Sequence, residues 1–317
     1  MKPMPSPRFP LLFAAGLLLS ASGDATDAPA VQPSSSPASS TTSPEDLARW
    51  RAKAEQNDSE ALLQLGRAYV QGRGVTQDEA KAAEYFRKAA EAGRWQGQIN
   101  LGLMYAWGKG VAKDPTEALK WLRQAAGQGE VTPQLSLASL LVAGDALPKD
   151  PKEGVMWYEK AADHGSVAAQ KELARLYYSG ENDVPKDFSL AARWAKMAAE
   201  NGDPWSQNLF GRMAELGLGV EKDNPKALEW YRRGAEQGNA LAQANAARLL
   251  GFNTPGVKLD KIEAYKWMSL SAERNEPAAT NAFAMFQKTL TPEELAEGRR
   301  QADDYKLRKA GAANPKN

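Results

Sequence analysis

The sequence predicts an all-α protein built as a solenoid of stacked helix–turn–helix units. One large aromatic side chain recurs at steps of 36 or 37 residues: Tyr85, Trp121, Trp157, Trp194, Trp230 and Trp267. An aspartate recurs with the same period, ahead of each of these aromatic residues. A fixed period in this range is typical of proteins in which each repeat is one supersecondary unit stacked on its neighbours.

The first helix of each unit is indicated by apolar residues at helical spacing around one small residue. Leu65 and Gly66 are followed by Tyr69, which is the i, i+3, i+4 spacing of one helix face. Glycine or alanine stands at this position in every copy: Gly66, Gly102, Ala138, Ala174, Gly211 and Ala247. We therefore expect the second helix to approach closely at this residue.

The turn between the two helices carries its own pattern. A glycine that can adopt the left-handed conformation ends the first helix in most copies: Gly72, Gly108, Gly144, Gly180 and Gly217. The recurrent aspartates are expected to be N-caps of the second helix: Asp78, Asp114, Asp150, Asp187, Asp223 and Asp260. Glutamates three residues later predict capping boxes in three copies: Glu117, Glu153 and Glu263. Since helix starts explain these carboxylates, we predict no metal site.

The repeated stretches QLGRAYVQGRGVTQDEAKAAEYFRKAAEAG (64–93) and NLGLMYAWGKGVAKDPTEALKWLRQAAGQG (100–129) resemble the Sel1-like repeat family, a relative of the tetratricopeptide repeats. The resemblance implies a right-handed α-solenoid. It places a solenoid at 59–290, with six full repeats and a seventh first helix. It also implies a capping helix and tail at 291–317. In this architecture the tryptophans stack the units and do not meet a ligand.

The amino terminus predicts export. Residues 1–23 carry Lys2 and Arg8, then an apolar run from Leu11 to Leu19, then small residues, the order of a secretory signal peptide. A retained membrane anchor is the alternative, although the run is about half the length that a spanning helix needs. We predict a disordered Pro/Ser/Thr-rich linker at 24–43 and a capping half-repeat helix at 44–58. Periplasmic localisation is expected, with secretion as the alternative.

Composition excludes several classes of function. The chain has 40 basic and 39 acidic residues, so it lacks the large net positive charge that favours binding to nucleic acid. It has no cysteine and one histidine, His164, which leaves little material for a disulfide, a thiolate metal site or acid–base catalysis. We predict no cofactor, no catalytic residues, and no membrane span once the signal peptide is cleaved.

The candidate binding surface follows from which positions vary between repeats. By analogy with tetratricopeptide arrays, the first helices line a concave groove, and the residue after the small position points into it. We predict a partner-binding groove at Arg67, Arg175, Arg212, Arg248, Trp107, Tyr178 and Trp205. Arg175, Arg212 and Arg248 should lie about 10 Å apart, given usual helix packing distances. The alternative is a solvated helix face whose arginines serve solubility.

These observations favour a non-enzymatic scaffold of the bacterial cell envelope that binds partner segments in the groove. The expected partner is a protein or peptide, and an acidic one would suit the arginines. A protein that binds cell-wall glycan or peptide remains the alternative. An envelope hydrolase is disfavoured by the missing catalytic constellation.

Overall fold

The computed structural model describes residues 42–313, apart from the side chains of residues 278, 312 and 313. The predicted signal peptide (1–23) and nearly all of the predicted linker (24–43) lie outside the described residues. Within residues 42–313 the chain is helical and contains no strand. The chain divides into two compact units, Met1–Ala161 and Ala162–Asn317, called unit 1 and unit 2 below. The predicted all-α class is confirmed.

The first helix, α1, spans Pro44–Glu55. Six repeats follow, each with a first helix (A helix) and a second helix (B helix). The A helices are α2 (Ser59–Gln71), α4 (Trp95–Trp107), α6 (Val131–Ala143), α8 (Val167–Ser179), α10 (Pro204–Leu216) and α12 (Ala240–Gly251). The B helices are α3 (Glu79–Glu91), α5 (Pro115–Ala126), α7 (Pro151–Asp163), α9 (Phe188–Glu200), α11 (Asn224–Glu236) and α13 (Lys261–Glu273). A seventh A helix, α14 (Pro277–Gln287), precedes α15 (Pro292–Ala313). The domain boundaries given above stay predictions.

The aromatic anchors lie in the core. The five anchor tryptophans are between 1% and 9% exposed, and only Tyr85 of the first repeat is half-buried. Trp267 packs edge-on against Tyr305 of α15, with ring centroids 5.5 Å apart. The final helix thereby covers the last repeat with an aromatic contact of the kind that stabilises protein cores.

The small residue of each A helix marks a close helix–helix approach, as predicted. A β-carbon added to Gly66 would lie 2.5 Å from the ring of Phe86, and one added to Gly102 would lie 2.7 Å from Leu122. A second close approach occurs in the turns. At Gly219, a β-carbon would overlap the carbonyl oxygen of Phe188 at the start of α9. The turn of one repeat therefore packs directly on the B helix of the preceding repeat.

The recurrent aspartates cap the B helices, but the predicted capping boxes are wrong. Each aspartate side chain accepts a hydrogen bond from a backbone N–H in the first turn, for example Lys81 N–H to Asp78 at 3.0 Å. The backbone N–H of each aspartate donates to a carbonyl near the end of the preceding A helix, such as that of Tyr69. This donor is therefore satisfied, and the glutamates find other partners: Glu117 pairs with Lys120, Glu153 with Arg123, and Glu263 with Arg232.

A ladder of side-chain amides joins successive repeats. Gln98 donates to the carbonyl of Ala90 at 3.3 Å and accepts from Gln128 at 2.8 Å. Gln170 with Asn201, and Gln207 with Gln237, repeat the arrangement in unit 2. In the first repeat the buried position is Leu62, and the position of the second amide is Ala92. The first repeat therefore lacks both polar members. Among the described residues, Gln134 and Gln243 occupy the buried position in the third and sixth repeats, but the side-chain oxygen of each has no hydrogen-bond partner.

An ion pair between B helices gives unit 1 a pH-dependent contribution to stability. Arg123 makes two hydrogen bonds to Glu153, at 2.8 and 2.7 Å, and Trp157 donates a third at 3.1 Å. The bonds from Arg123, followed by the opposing effect of burial and the bond from Trp157, leave the pKa of Glu153 below its ordinary value of 4.5. A carboxyl with a depressed folded pKa stabilises the protein fully above its unfolded pKa and loses that contribution as pH falls through the folded value.

We expect Glu153→Gln to lower the free energy of unfolding by about 1 kcal/mol at neutral pH, because a partly exposed, two-bonded ion pair is lost. The difference between the two proteins should shrink as pH falls below the ordinary carboxyl value of 4.5. Melting temperatures recorded between neutral pH and pH 3 would measure this. The control Glu91→Gln changes an exposed carboxylate on α3 and should have almost no effect. If the difference in melting temperature between the unsubstituted protein and Glu153→Gln stayed the same at every pH, the role given to Glu153 would be contradicted.

Candidate functional site

Two of the predicted groove residues lie in unit 1. Arg67 and Trp107 are half-buried, on α2 and α4 respectively. Burial lowers the pKa of the Arg67 guanidinium, and the nearby carboxylate of Glu60 acts in the opposite direction. The other five predicted residues all belong to unit 2.

Arg175 and Tyr178 of α8 are engaged within their own repeat. Arg175 donates to Glu172 at 2.9 Å and to Glu181 at 2.7 Å. The ring of Tyr178 packs edge-on against Phe188 of the adjacent B helix, with centroids 5.7 Å apart. Both side chains are half-buried, and the charge of Arg175 is balanced by its two carboxylates.

Arg212 and Arg248 lie on the A helices of successive repeats, and Arg248 pairs with a carboxylate that was not among the predicted site residues. Arg248 of α12 makes two hydrogen bonds, at 2.7 and 2.6 Å, to Glu215 of α10. Tyr231 of α11 donates its hydroxyl to the same carboxylate at 2.8 Å. Burial, and then the charge of Glu215, raises the pKa of Tyr231 far above its ordinary range, so its hydroxyl remains a donor. Glu215 is thus held in place by two partners.

A second link joins the same two helices nearer their N-termini. Asn245 of α12 donates to the side-chain oxygen of Asn208 of α10 at 2.9 Å. On α10, Arg212 stands between Asn208 and Glu215, one turn from each. We call the set Asn208, Arg212, Glu215, Asn245 and Arg248 the polar frame. It places one arginine between two cross-helix links.

Arg212 is the member of the polar frame whose charge is not balanced. Its side chain is exposed, and no ion pair or hydrogen bond involves it within residues 42–313. The other charged residues of α10 and α12 are Glu215 and Arg248, which pair with each other. The two helices therefore carry a net charge of +1, at Arg212.

Exposed apolar side chains lie on or next to the two helices that carry the polar frame. Leu216 lies one turn after Arg212 and is 51% exposed, and Leu241 lies two turns before Arg248 and is 45% exposed. Phe252, the residue after α12, is 51% exposed, and its ring centroid lies 5.9 Å from that of Phe286. Trp205 lies two turns before Arg212 and is half-buried, with the ammonium of Lys171 5.7 Å from its ring. We call the surface formed by the polar frame with Trp205, Leu216, Leu241 and Phe252 the A face of unit 2.

The residues predicted from the sequence include Arg212, Arg248 and Trp205, which stay predictions, but not Glu215, Tyr231 or the two asparagines. Tyr231 stands beside an anchor tryptophan, where an aromatic residue is read as core. The asparagines did leave a signal. At the position of Asn208, the other repeats carry apolar residues in four of five cases: Leu63, Ile99, Leu135, Lys171 and Ala244. A polar side chain at an otherwise apolar position could have marked the site.

Other kinds of site find no support in residues 42–313. No group of three or more histidine, aspartate or glutamate side chains there is arranged to hold a metal ion. No helix within these residues is both long enough and apolar enough to cross a bilayer. A recess of about 560 Å³ lies between α13 and α15, lined by Lys266, Gln301, Asp304, Leu307 and Arg308. Its charges are mixed in sign, which favours no single ligand.

The comparison with known proteins agrees with the repeat pattern. A family model described as the Sel1 repeat matches residues 59–93, 95–130, 134–166, 167–203, 206–239 and 240–276. The crystal structure of a Sel1 repeat protein from Oxalobacter formigenes is 32% identical, with a TM-score of 0.67 over 81% of this chain and 75% of that one. A protective antigen of uropathogenic Escherichia coli strains, described as displaying an SLR fold, is 31% identical, with a TM-score of 0.51 over 85% of this chain and 64% of that one.

A curated relative is the chitin synthase regulator SKT5 of Malassezia restricta, 32% identical over 81 residues. That match covers 26% of this chain and spans only 6% of the regulator. The likeness therefore concerns the repeats. Sel1 repeats typically serve as protein-interaction scaffolds and are generally non-catalytic. With six matched repeats, stacked A and B helices, and relatives that share both sequence and fold, the chain belongs to the Sel1-repeat family of α-solenoid proteins.

Proposed function

We propose that the protein is a non-enzymatic interaction scaffold of the bacterial cell envelope that binds a segment of a partner protein on the A face of unit 2. One observation carries the proposal. The helices α10 and α12 expose the apolar side chains of Leu216 and Leu241 and also carry one arginine, Arg212, that has no carboxylate partner within residues 42–313. Cores of protein interfaces are poor in charge and rich in aromatic residues and arginine.

The B helix α11, which lies between α10 and α12 in the sequence, shows a contrast. The B helix α11 carries Lys226, Glu229, Arg232, Arg233 and Glu236 in 13 residues, whereas α10 carries two charged residues in the same length. A solvated helix face usually has the composition of α11. Exposed leucines on the A helices, with Phe252 just after α12, are better explained by a partner that covers them.

The envelope location rests on the signal-peptide pattern of residues 1–23, with secretion as the alternative. The acidic character proposed for the partner rests on Arg212. Guanidinium groups bind carboxylates through two parallel hydrogen bonds, and such bonds are about twice as strong as neutral ones.

Photocrosslinking in the cells that produce the protein tests this function. A photoreactive amino acid replaces Leu241 on the A face or, as the control, the exposed Glu229 on α11. We expect a discrete crosslinked protein, identified by mass spectrometry, from position 241 and not from position 229. In the 241 background, Arg212→Glu should reduce the crosslinked product about tenfold or more, because a charged contact becomes repulsive.

A charge reversal elsewhere in unit 2 serves as the control for Arg212→Glu. Lys226→Glu on the B helix α11 changes the net charge by the same amount on an exposed residue and should leave the crosslinked product unchanged. Equal crosslinking from both positions would overturn the assignment of the A face. Retention on purified cell wall free of protein, unaffected by Arg212→Glu, would favour the alternative of a cell-wall binder.

A further inference from the structure

The seventh A helix, α14, is left uncovered on the side where the other A helices meet the B helix of their own repeat. In all six complete repeats the eighth residue of the A helix is small and buried. At Gly66, for example, the ring of Phe86 from the B helix of the same repeat lies against it. The eighth residue of α14 is Ala284, and it is exposed. The fourth residue of the A helix is likewise buried in every complete repeat, but in α14 it is Thr280, which is exposed.

The helix that follows α14 lies along a different helix. A β-carbon added to Gly298 of α15 would lie 2.7 Å from the ring of Tyr265 on α13. Lys306 of α15 bonds Glu273 at the end of α13, at 2.6 Å. Repeat arrays usually end in a capping element with a polar outer face. The 11 residues of α14 include no charged residue, so its uncovered side does not have the composition of a cap.

One acidic and one basic residue flank this uncovered side. Glu276 immediately precedes α14, and Lys288 immediately follows it. Within residues 42–313, neither side chain forms an ion pair or a hydrogen bond. We call Glu276, Thr280, Ala284 and Lys288 the α14 row, because their i, i+4 spacing places them along one side of the helix. The α14 row therefore runs from an acidic residue through two short side chains to a basic residue.

Such a row is complementary to a reversed copy of itself. In a two-fold symmetric dimer, residue i contacts residue j and residue j contacts residue i. Antiparallel α14 helices would place Glu276 of each copy opposite Lys288 of the other, which gives two ion pairs. Thr280 would lie opposite Ala284, and these short side chains would let the helices approach as closely as packed helices do. A parallel arrangement would instead bring like charges together.

We propose that the α14 row binds the α14 row of a second copy of this chain, with the two helices antiparallel about a two-fold axis. The inference goes beyond the proposed function and does not depend on a partner at the A face of unit 2. One helix from each copy buries less surface than the roughly 1,200 Å² at which stable complexes begin. The dimer is therefore weak and depends on protein concentration.

Sedimentation velocity of the purified protein, from micromolar to millimolar concentration, tests the proposal. We expect a reversible monomer–dimer equilibrium. Glu276→Lys or Lys288→Glu alone should raise the dissociation constant about tenfold or more, because two attractive contacts become repulsive. The double variant Glu276→Lys/Lys288→Glu should restore the dimer. An equimolar mixture of the two single variants should form a mixed dimer, in which both contacts are again attractive.

Disulfide crosslinking tests the register of the two helices. The chain has no cysteine, so Thr280→Cys and Ala284→Cys each introduce a single thiol at an exposed position. With oxidised glutathione as the oxidant, an equimolar mixture of the two variants should give a disulfide between positions 280 and 284 in higher yield than either variant alone. The control Glu229→Cys places the thiol on an exposed position of α11, and it should give no such product in a mixture with either variant.

Each outcome supports or overturns the dimer. Formation of the mixed dimer requires both charge variants to be folded, so misfolding cannot imitate the expected result, and circular dichroism melts check each variant separately. If the double reversal dimerised as weakly as the single reversals, the antiparallel pairing would be wrong. If the protein stayed monomeric at every concentration, the proposal would be overturned and the α14 row would be left for a helix of another protein.

Discussion

Gly219→Ala is expected to lower the free energy of unfolding of unit 2 by about 2–5 kcal/mol. Gly219 has a φ of +68°, a left-handed conformation that costs an alanine about 1–2 kcal/mol. The new methyl group would also overlap the backbone carbonyl of Phe188, and forcing an extra carbon into a packed site costs about 1–3 kcal/mol more. Urea denaturation followed by circular dichroism measures the loss.

Gly202→Ala is the matched control in the same unit. Gly202 also has a positive φ, +91°, but a β-carbon there would meet no atom within 4 Å. It should therefore show only the conformational cost of about 1–2 kcal/mol. Equal losses at the two positions would mean that the contact between turn and B helix contributes nothing.

Trp267→Ala should cost about 3–5 kcal/mol, as removal of a large buried aromatic side chain usually does. Trp267 is 1% exposed, packs against Tyr305, and donates its indole N–H to Glu263 at 3.0 Å. The variant would leave a cavity between α13 and α15 and an unfilled acceptor on Glu263. Thermal and urea unfolding of the full chain provide the measurement.

Trp205→Ala tests the other class of tryptophan. Trp205 is half-buried on the A face of unit 2, so its removal should cost about 1 kcal/mol or less in stability. Its loss should instead weaken the crosslink from position 241. A large stability loss at Trp205, or a small one at Trp267, would contradict the division between anchors of the fold and residues of the surface.

The sequence was sufficient for features whose chemistry is local and repeated. The aspartate caps, the left-handed glycines and the buried anchors each depend on only a few neighbouring residues. Each pattern also recurs in most or all of the six repeats, which makes it easy to recognise. The capping boxes failed because the competing acceptor, a carbonyl at the end of the A helix, is not visible as a pattern of side chains. Helix capping could be predicted; the choice between two acceptors could not.

The candidate site was only partly predictable, for a different physical reason. Arg175 and Arg248 looked equivalent to Arg212 in the repeat register. Which arginine meets a carboxylate depends on which side chains of neighbouring helices face each other. Glu215 lies 33 residues before Arg248, and Asn208 lies 37 before Asn245. These two separations differ by one turn of helix, so no single period reveals both.

The amide ladder has a consequence for how such a chain can grow. Gln98 and Gln128 belong to the same matched repeat, and the groups they require from the preceding repeat are the main-chain carbonyls of Ala90 and Gly93. Every residue type supplies a carbonyl. A gene duplication that copies one repeat therefore carries both amides along, and any repeat can accept the copy without a compensating mutation. The same independence lets other positions of the A helices, such as Asn208, differ between repeats while the amide ladder is retained.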